Sequence, residues 1–257
     1  MLIDSHCHLD TFDDAEITDV IARAREAGVE RMVTIGVRAD QSVAVRSLAE
    51  RFPEVWATVG VHPQRVGEAA LPSVAELLAL ADHPRVVGLG ESGLDYFYDK
   101  APHETQREGF RRHIKAAQLS GLPLVVHARD ADDDIQAVLE EEHRAGGPFA
   151  FVLHCFSSGR ALAEAAVRLG GYVSFSGIIT FRNGEALRAI AADLPEDRLL
   201  VETDSPYLAP VPLRGKRCEP AYVVHTAKAL AAARGVGLAE VEAFTTANFH
   251  RLFPKAG

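Results

Sequence analysis

Short apolar runs recur along the chain, and several of them close on a polar residue. They read LIDSHCH (Leu2–His8), VVGLGE (Val86–Glu91), PLVVH (Pro123–His127), FAFVLH (Phe149–His154) and LLVETD (Leu199–Asp204). Apolar runs of this length, bounded by turn residues, are the mark of parallel strands buried on both faces. Counted through the whole chain, the strand ends fall near residues 8, 36, 62, 91, 127, 154, 178 and 204. The near-regular spacing, about 24 to 36 residues, is room for a strand and a returning helix. Between the runs the period changes to that of a helix. Ile17, Val20, Ile21 and Ala24 share one face of a helix predicted over Ala15–Ala27, closed by Gly28. Phe110, Ile114 and Ala117 do the same over His103–Leu119, and Arg160–Leu169 ends at Gly170-Gly171. The seventh strand is expected over Tyr172–Ile178, and the tail as two helices, Ala221–Ala233 and Leu238–Leu252. This alternation predicts one (β/α)₈ TIM barrel, a single domain spanning residues 1–257 with no linker.

The polar ends of the strands carry the chemistry, because barrel enzymes work at the C-terminal ends of their strands. His6, His8, Glu91, His127, His154 and Asp204 are all ligand types, and each closes a run. His6 and His8 project from the same face of one strand, together with Asp4, while Cys7 points the other way. Glu91 has two carboxylate oxygens and can bridge two cations. None of the five lysines ends a strand, so no modified lysine is placed to do this instead. His127 and His154 close consecutive strands and suit a second ion with Glu91. Asp204 closes the last strand, which adjoins the first on closure. It can bind the ion held by His6 and His8, or accept a proton from the attacking water. Glu202 shares its face and is a candidate to support the ligands from behind. The catalytic residues expected are therefore Asp204 and Glu91. Two divalent ions so held would lower the pKa of a bridging water and clamp the attacking and leaving oxygens. Imidazole and carboxylate ligands without thiolate fit Mg, Mn, Zn or Co.

Substrate contacts are less sharply marked. His62 closes the third strand in VGVHP and reads as a substrate contact, a general acid or a rim residue. Arg214, Lys216 and Arg217 follow the last strand in LAPVPLRGKRCEP and could receive phosphates.

Charge changes this picture. A formal net charge of −9 is unfavourable for gripping a polyanion through a broad basic face but does not exclude a nucleic-acid substrate, since the attraction can be local. No basic segment leading into an apolar one opens the chain, and no run approaches the ~18 apolar residues of a membrane helix. Three cysteines form no disulfide framework. A cytoplasmic enzyme without a membrane or obligate protein partner is expected.

The segments DSHCHLD, GVHP, GESGLDY, VVHAR, HCFSS, ETDSPYL and RGKRCEP resemble, in order and over nearly the whole chain, the serial signatures of the TatD-family metal-dependent deoxyribonucleases. The resemblance implies a barrel of the amidohydrolase superfamily that cleaves DNA, typically as a 3′–5′ exonuclease on single strands. It implies metal ligation by His6, His8, Glu91, His127, His154 and Asp204. Cys218 departs from the family's usual Asn, which puts one substrate contact in question, and the HCFSSG segment carries one extra residue before its glycine. The same fold could serve another ester or amide, such as a D-aminoacyl-tRNA. A non-catalytic scaffold would show eroded ligands, and here none is missing.

Overall fold

In the computed structural model, which describes Met1–Gly257, eight parallel strands lie side by side in chain order. They are β1 (Leu2–Cys7), β2 (Val29–Ile35), β3 (Val55–Val59), β4 (Val86–Asp95), β5 (Leu124–Arg129), β6 (Phe151–Leu153), β7 (Tyr172–Phe175) and β8 (Leu199–Val201). The helices are α1 (Asp14–Glu26), α2 (Ser42–Arg51), α3 (Val74–Ala81), α4 (His103–Ser120), α5 (Asp132–Gly146), α6 (Arg160–Arg168), α7 (Glu185–Asp193), α8 (Val223–Arg234) and α9 (Leu238–Leu252). The seam between β8 and β1 closes at the C-terminal mouth. There the Asp204 N–H donates to the His6 carbonyl at 2.9 Å, and the His8 N–H donates to the Ser205 carbonyl at 2.7 Å. The fold is the (β/α)₈ TIM barrel that the alternating pattern predicts.

Adjacent residues of each strand divide between two apolar clusters. Leu2, Met32, Val86, Leu124, Phe151 and Leu199 pack outward with the helices. Their neighbours Ile3, Val33, Val87, Val125, Val152 and Leu200 meet one another in the barrel interior. This period of two is why the runs read as continuously apolar: both faces are dry. Phe249, Leu252 and Phe253, at the end of α9, join the inner cluster and plug the N-terminal end of the barrel. Only the opposite end is left for polar groups.

Four strand ends differ from expectation by three residues or more; β3 stops at Val59 and β8 at Val201, so His62 and Asp204 stand just beyond their strands. β7 stops at Phe175, and Gly177–Thr180 forms a 3₁₀ turn instead of carrying the strand to residue 178. The carbonyl of Leu208, in the loop after β8, occupies the space that a side chain on Gly177 would need. β4 runs past Glu91 to Asp95, pairing with β5 as far as Arg129. Gly93 makes this extension possible, because its φ of +147° suits glycine and a Cβ there would overlap the His127 carbonyl. The two tail helices and α4 lie within two residues of their predicted bounds. The three cysteines are free, and no helix is long and apolar enough to cross a membrane.

The two glycines Gly93 and Gly28 should respond very differently to alanine. Gly28 also has positive φ, +83°, but nothing lies within 4 Å of an added Cβ. Gly28→Ala should cost about 1 kcal/mol of backbone strain. Gly93→Ala should cost more than ~3 kcal/mol, a fall in Tm on the order of 10 °C. Thermal unfolding of both variants checks the contrast.

Candidate metal centre

Glu91 lies in the middle of the barrel mouth and is 2% exposed. Its two carboxylate oxygens face different partners. Oε2 lies 3.5 Å from His6 Nε2 and 3.9 Å from His8 Nε2. The two nitrogens are 3.3 Å apart, and Asp204 Oδ1 completes the group at 3.6 Å from His6 and 3.3 Å from His8. Oε1 lies 2.9 Å from His127 Nδ1 and 2.7 Å from His154 Nε2, themselves 3.3 Å apart. All six residues expected as ligands are thus brought together, in two groups sharing one carboxylate.

These residues fit a pair of cations. Coordination bonds of about 2.1 Å at tetrahedral angles set ligand atoms about 3.4 Å apart, close to the separations around Oε2. Protons alone satisfy such a cluster poorly, since His6 Nδ1 is buried without a hydrogen-bond partner while its other nitrogen faces a second imidazole. The charge balance agrees. Burial pushes the Glu91 carboxyl pKa up, but the His154 and His62 charges and hydrogen bonds from His127 and His154 outweigh it and hold it well below the usual range. Asp204 is likewise held low, burial being outweighed by the His8 hydrogen bond and the neighbouring imidazoles. Both carboxylates are therefore ionised in the form that ligates.

Hydrogen bonds behind the imidazoles assign their tautomers. His127 Nε2 lies 3.2 Å from Asp95 Oδ2 and donates to it, so an ion that displaced the Nδ1 proton would meet a lone pair on the Glu91 side. His154 Nδ1 points at Glu202 Oε1, 3.4 Å away, and its Nε2 donates to Glu91 Oε1 at 2.7 Å, the proton that an ion would displace. The Glu202 carboxylate is itself fixed by the Cys155 N–H at 2.7 Å. His62 is wired the opposite way. Its Nδ1 accepts the Gln64 N–H at 3.1 Å, so its proton sits on Nε2, which lies 3.2 Å from Glu91 Oε1. His62 therefore keeps its inner proton, whereas His127 and His154, each with an outer carboxylate to hold a second proton, could give up their inner protons to an ion.

The strands that carry these groups are braced. Asp4 does not join the ligands. Its carboxylate accepts the N–H and hydroxyl of Thr203 at 2.8 and 2.6 Å, tying β1 to the approach to Asp204. Burial raises its pKa to about 8. Asp204 itself has φ +59°, a left-handed conformation held by the seam bonds on either side of it. Cys7 points away, its thiol against the Val33 carbonyl, as its place between two histidines predicts.

Asp95 is the site residue that sequence reasoning missed. It is buried on β4, accepts Gln64 Nε2 at 2.6 Å and the Tyr98 N–H at 3.0 Å, and its backbone is gripped by Gln106. The signal was its spacing of four from Glu91, the same face of a strand; Gly93 between them reads as a turn. The cations after β8 are not gathered at the ions. Arg217 pairs with Glu16 and donates to the Thr11 carbonyl, and Arg214 lies over the Phe181 ring at 3.7 Å. No polar partner draws Lys216 inward. Cys218 is buried, so its side chain presents no group to a substrate.

Fold and site together define a metal-dependent hydrolase of the (β/α)₈-barrel type. The chain belongs to the TatD-related DNase family, whose model matches residues 3–254. It is 43% identical over 258 residues to the metal-dependent hydrolase YcfH of Escherichia coli, covering 98% of this chain and 95% of that one. It is 35% identical over 242 residues to the 3′–5′ ssDNA/RNA exonuclease TatD of Salmonella typhimurium, covering 91% and 92%. The crystal structure of the TatD homologue YJJV of Escherichia coli superimposes with a TM-score of 0.91 at 28% identity, over 98% of both chains.

His113 on α4 holds the approach to His62. Its Nδ1–H donates to the Gly109 carbonyl at 2.7 Å, and its Nε2 accepts the Val61 N–H at 3.1 Å. Burial pushes its pKa down to about 4. The unfolded chain binds this proton more readily, so the stability His113 contributes is full above pH ~6.5 and is lost as pH falls toward 4. Denaturant titrations should show the stability gap between the wild type and His113→Gln shrinking by about 2–3 kcal/mol from pH 7 to pH 4.

Proposed function

We propose that this protein is a 3′–5′ exonuclease acting on single-stranded nucleic acid with two divalent ions. His6, His8, Glu91 and Asp204 would hold one ion, and Glu91, His127 and His154 the other. The observation that carries this reading is the Glu91 carboxylate, whose two oxygens each face a separate set of ligand atoms. The exonuclease among its relatives supports the substrate class. When bound, the ions supply Lewis acidity and activate water for attack on phosphorus.

The protein's own groups perform the rest. Asp204, held ionised beside His8, accepts the proton of the attacking water at a carboxylate oxygen. His62 presents its Nε2–H toward the centre and donates it to a non-bridging or leaving oxygen of the phosphodiester. Asp95 and Glu202 keep protons on the outer nitrogens of His127 and His154, so that the inner lone pairs stay available. Gln64 serves both sides of this arrangement, holding Asp95 with its side chain and His62 with its backbone.

Metal analysis of reconstituted protein should give two ions per chain, and saturation at one ion would defeat the two-ion reading. Glu91→Gln should lose both ions and all hydrolysis of a single-stranded oligonucleotide. Asp204→Asn should keep the second ion yet lose kcat by about 10²–10⁴-fold. Turnover within tenfold of wild type would remove Asp204 as the base.

Asp95→Asn separates orientation from ligation. The amide cannot accept the His127 Nε2 proton as a carboxylate does, so affinity for the second ion should fall about 10–100-fold. The ¹⁵N shifts of the His127 ring should move toward the other tautomer. Competition with a chromophoric chelator reads the affinity without turnover.

A further inference from the structure

Of the eighteen aromatic side chains, only Phe97, Tyr98 and Tyr207 are exposed, at 53, 57 and 56%. All three stand at the barrel mouth. Phe97 and Tyr98 begin the loop after β4, directly beyond Asp95, and Tyr207 lies in the loop after β8, three residues beyond Asp204. None is needed for packing, since the outer and inner clusters are complete without them. Exposed aromatic faces confined to the rim of a catalytic mouth call for an occupant.

Their surroundings say what kind. The Tyr207 ring lies edge-on to His8 with centroids 5.9 Å apart, so it borders the group around Glu91 Oε2. Phe97 stands on the side of the other group, two residues beyond Asp95, which holds His127. The Arg129 guanidinium covers one side of its ring at 4.8 Å, and Arg129 is two residues beyond His127 on β5. Arg129 Nε is buried without a hydrogen-bond partner. Arg129 also lines a cavity of about 330 Å³ with Ser157 and Ser158, which follow His154, and with the carboxylates of Asp130 and Asp132, the latter engaged by the Gly159 N–H. An aromatic face, a guanidinium with an unused donor and two hydroxyls thus lie together beside the second ligand group. That is the chemistry of a nucleotide: a base for the ring and a phosphate for the cation.

Resting on the nuclease reading, we propose that Phe97 and Tyr207 are base-stacking platforms on the two sides of the centre. They hold an unpaired strand across it, with Arg129 bracing a flanking phosphate. Stacking is tolerant of sequence because every base has a π-face. It also answers the problem set by a net charge of −9, since its contribution does not depend on a basic surface. A paired duplex keeps its bases stacked on one another and cannot use these rings, so the arrangement selects single strands.

Binding can be read without turnover, using chelator-treated protein and a single-stranded oligonucleotide carrying 2-aminopurine. Wild type should quench the probe. Phe97→Ala and Tyr207→Ala should each raise Kd roughly tenfold, and Phe97→Trp and Tyr207→Phe should restore it. An abasic strand of equal length should bind wild type and both alanine variants alike. Unchanged thermal unfolding shows that the variants are folded. If the metal-loaded enzyme degrades the strand, yet the alanine variants bind it like wild type and the abasic strand binds equally well, the stacking proposal is overturned and the nuclease reading stands. If wild type with Mg²⁺, Mn²⁺, Zn²⁺ or Co²⁺ neither cleaves nor binds the strand, the nuclease reading fails and the proposal fails with it.

Discussion

The constraint on which the rest of the molecule depends is an ionised carboxylate sunk into the mouth of an otherwise apolar barrel. Taking Glu91 out of water costs several kcal/mol unless opposite charge or donors meet it on every side. A barrel can do this because its strand ends converge radially. Imidazoles arrive from β1 and β5 and from the residues following β3 and β6, so both oxygens are engaged at once. The seam between β8 and β1 matters for the same reason. Its two backbone hydrogen bonds fall beside His6, His8 and Asp204, so that closing the barrel and assembling one ligand group are one event.

Behind the ligands lies a set of groups whose task is direction. A histidine offers one lone pair, and the partner on its other nitrogen decides which one. Asp95 and Glu202 hold the outer protons of His127 and His154, so that the inner nitrogens could serve an ion, and the Gln64 backbone turns the proton of His62 inward. The same residue type thus performs two kinds of work at one site, separated by a hydrogen bond on the far side of the ring. These supports stand on β4, which is gripped by Gln106, and at the end of β8, which Thr203 ties to Asp4 of β1. The positioning of these groups is carried by the scaffold.

The rim follows a different logic. An acidic protein has little long-range attraction for a polyanion, and two of the three cations after β8 are occupied with the protein itself. On the proposed reading, positive charge concentrated in bound ions and exposed aromatic faces beside them would be complementary ways to hold such a substrate locally.

Much of this was legible along the chain, because the repeated strand-and-helix unit writes itself as a period. Apolar runs buried on both faces mark the strands, and a polar residue at the end of each marks the mouth, which is why the six ligand residues stood out together. What the sequence could not determine is what lies behind and around them. Asp95 lay beyond the run that closes on Glu91, and only the approach of the His127 carbonyl to Gly93 reveals that β4 continues. The role of Asp4 depended on Thr203, nearly two hundred residues away. The tautomers of His62 and His127 are set by partners that a linear reading cannot pair. Arg217 read as a free cation until α1 folded against it. Periodicity along one strand is a local property and survives in sequence. Which side chain fills the second valence of a ring nitrogen, or covers a guanidinium, is decided by closure of the barrel, and only the tertiary structure holds that information.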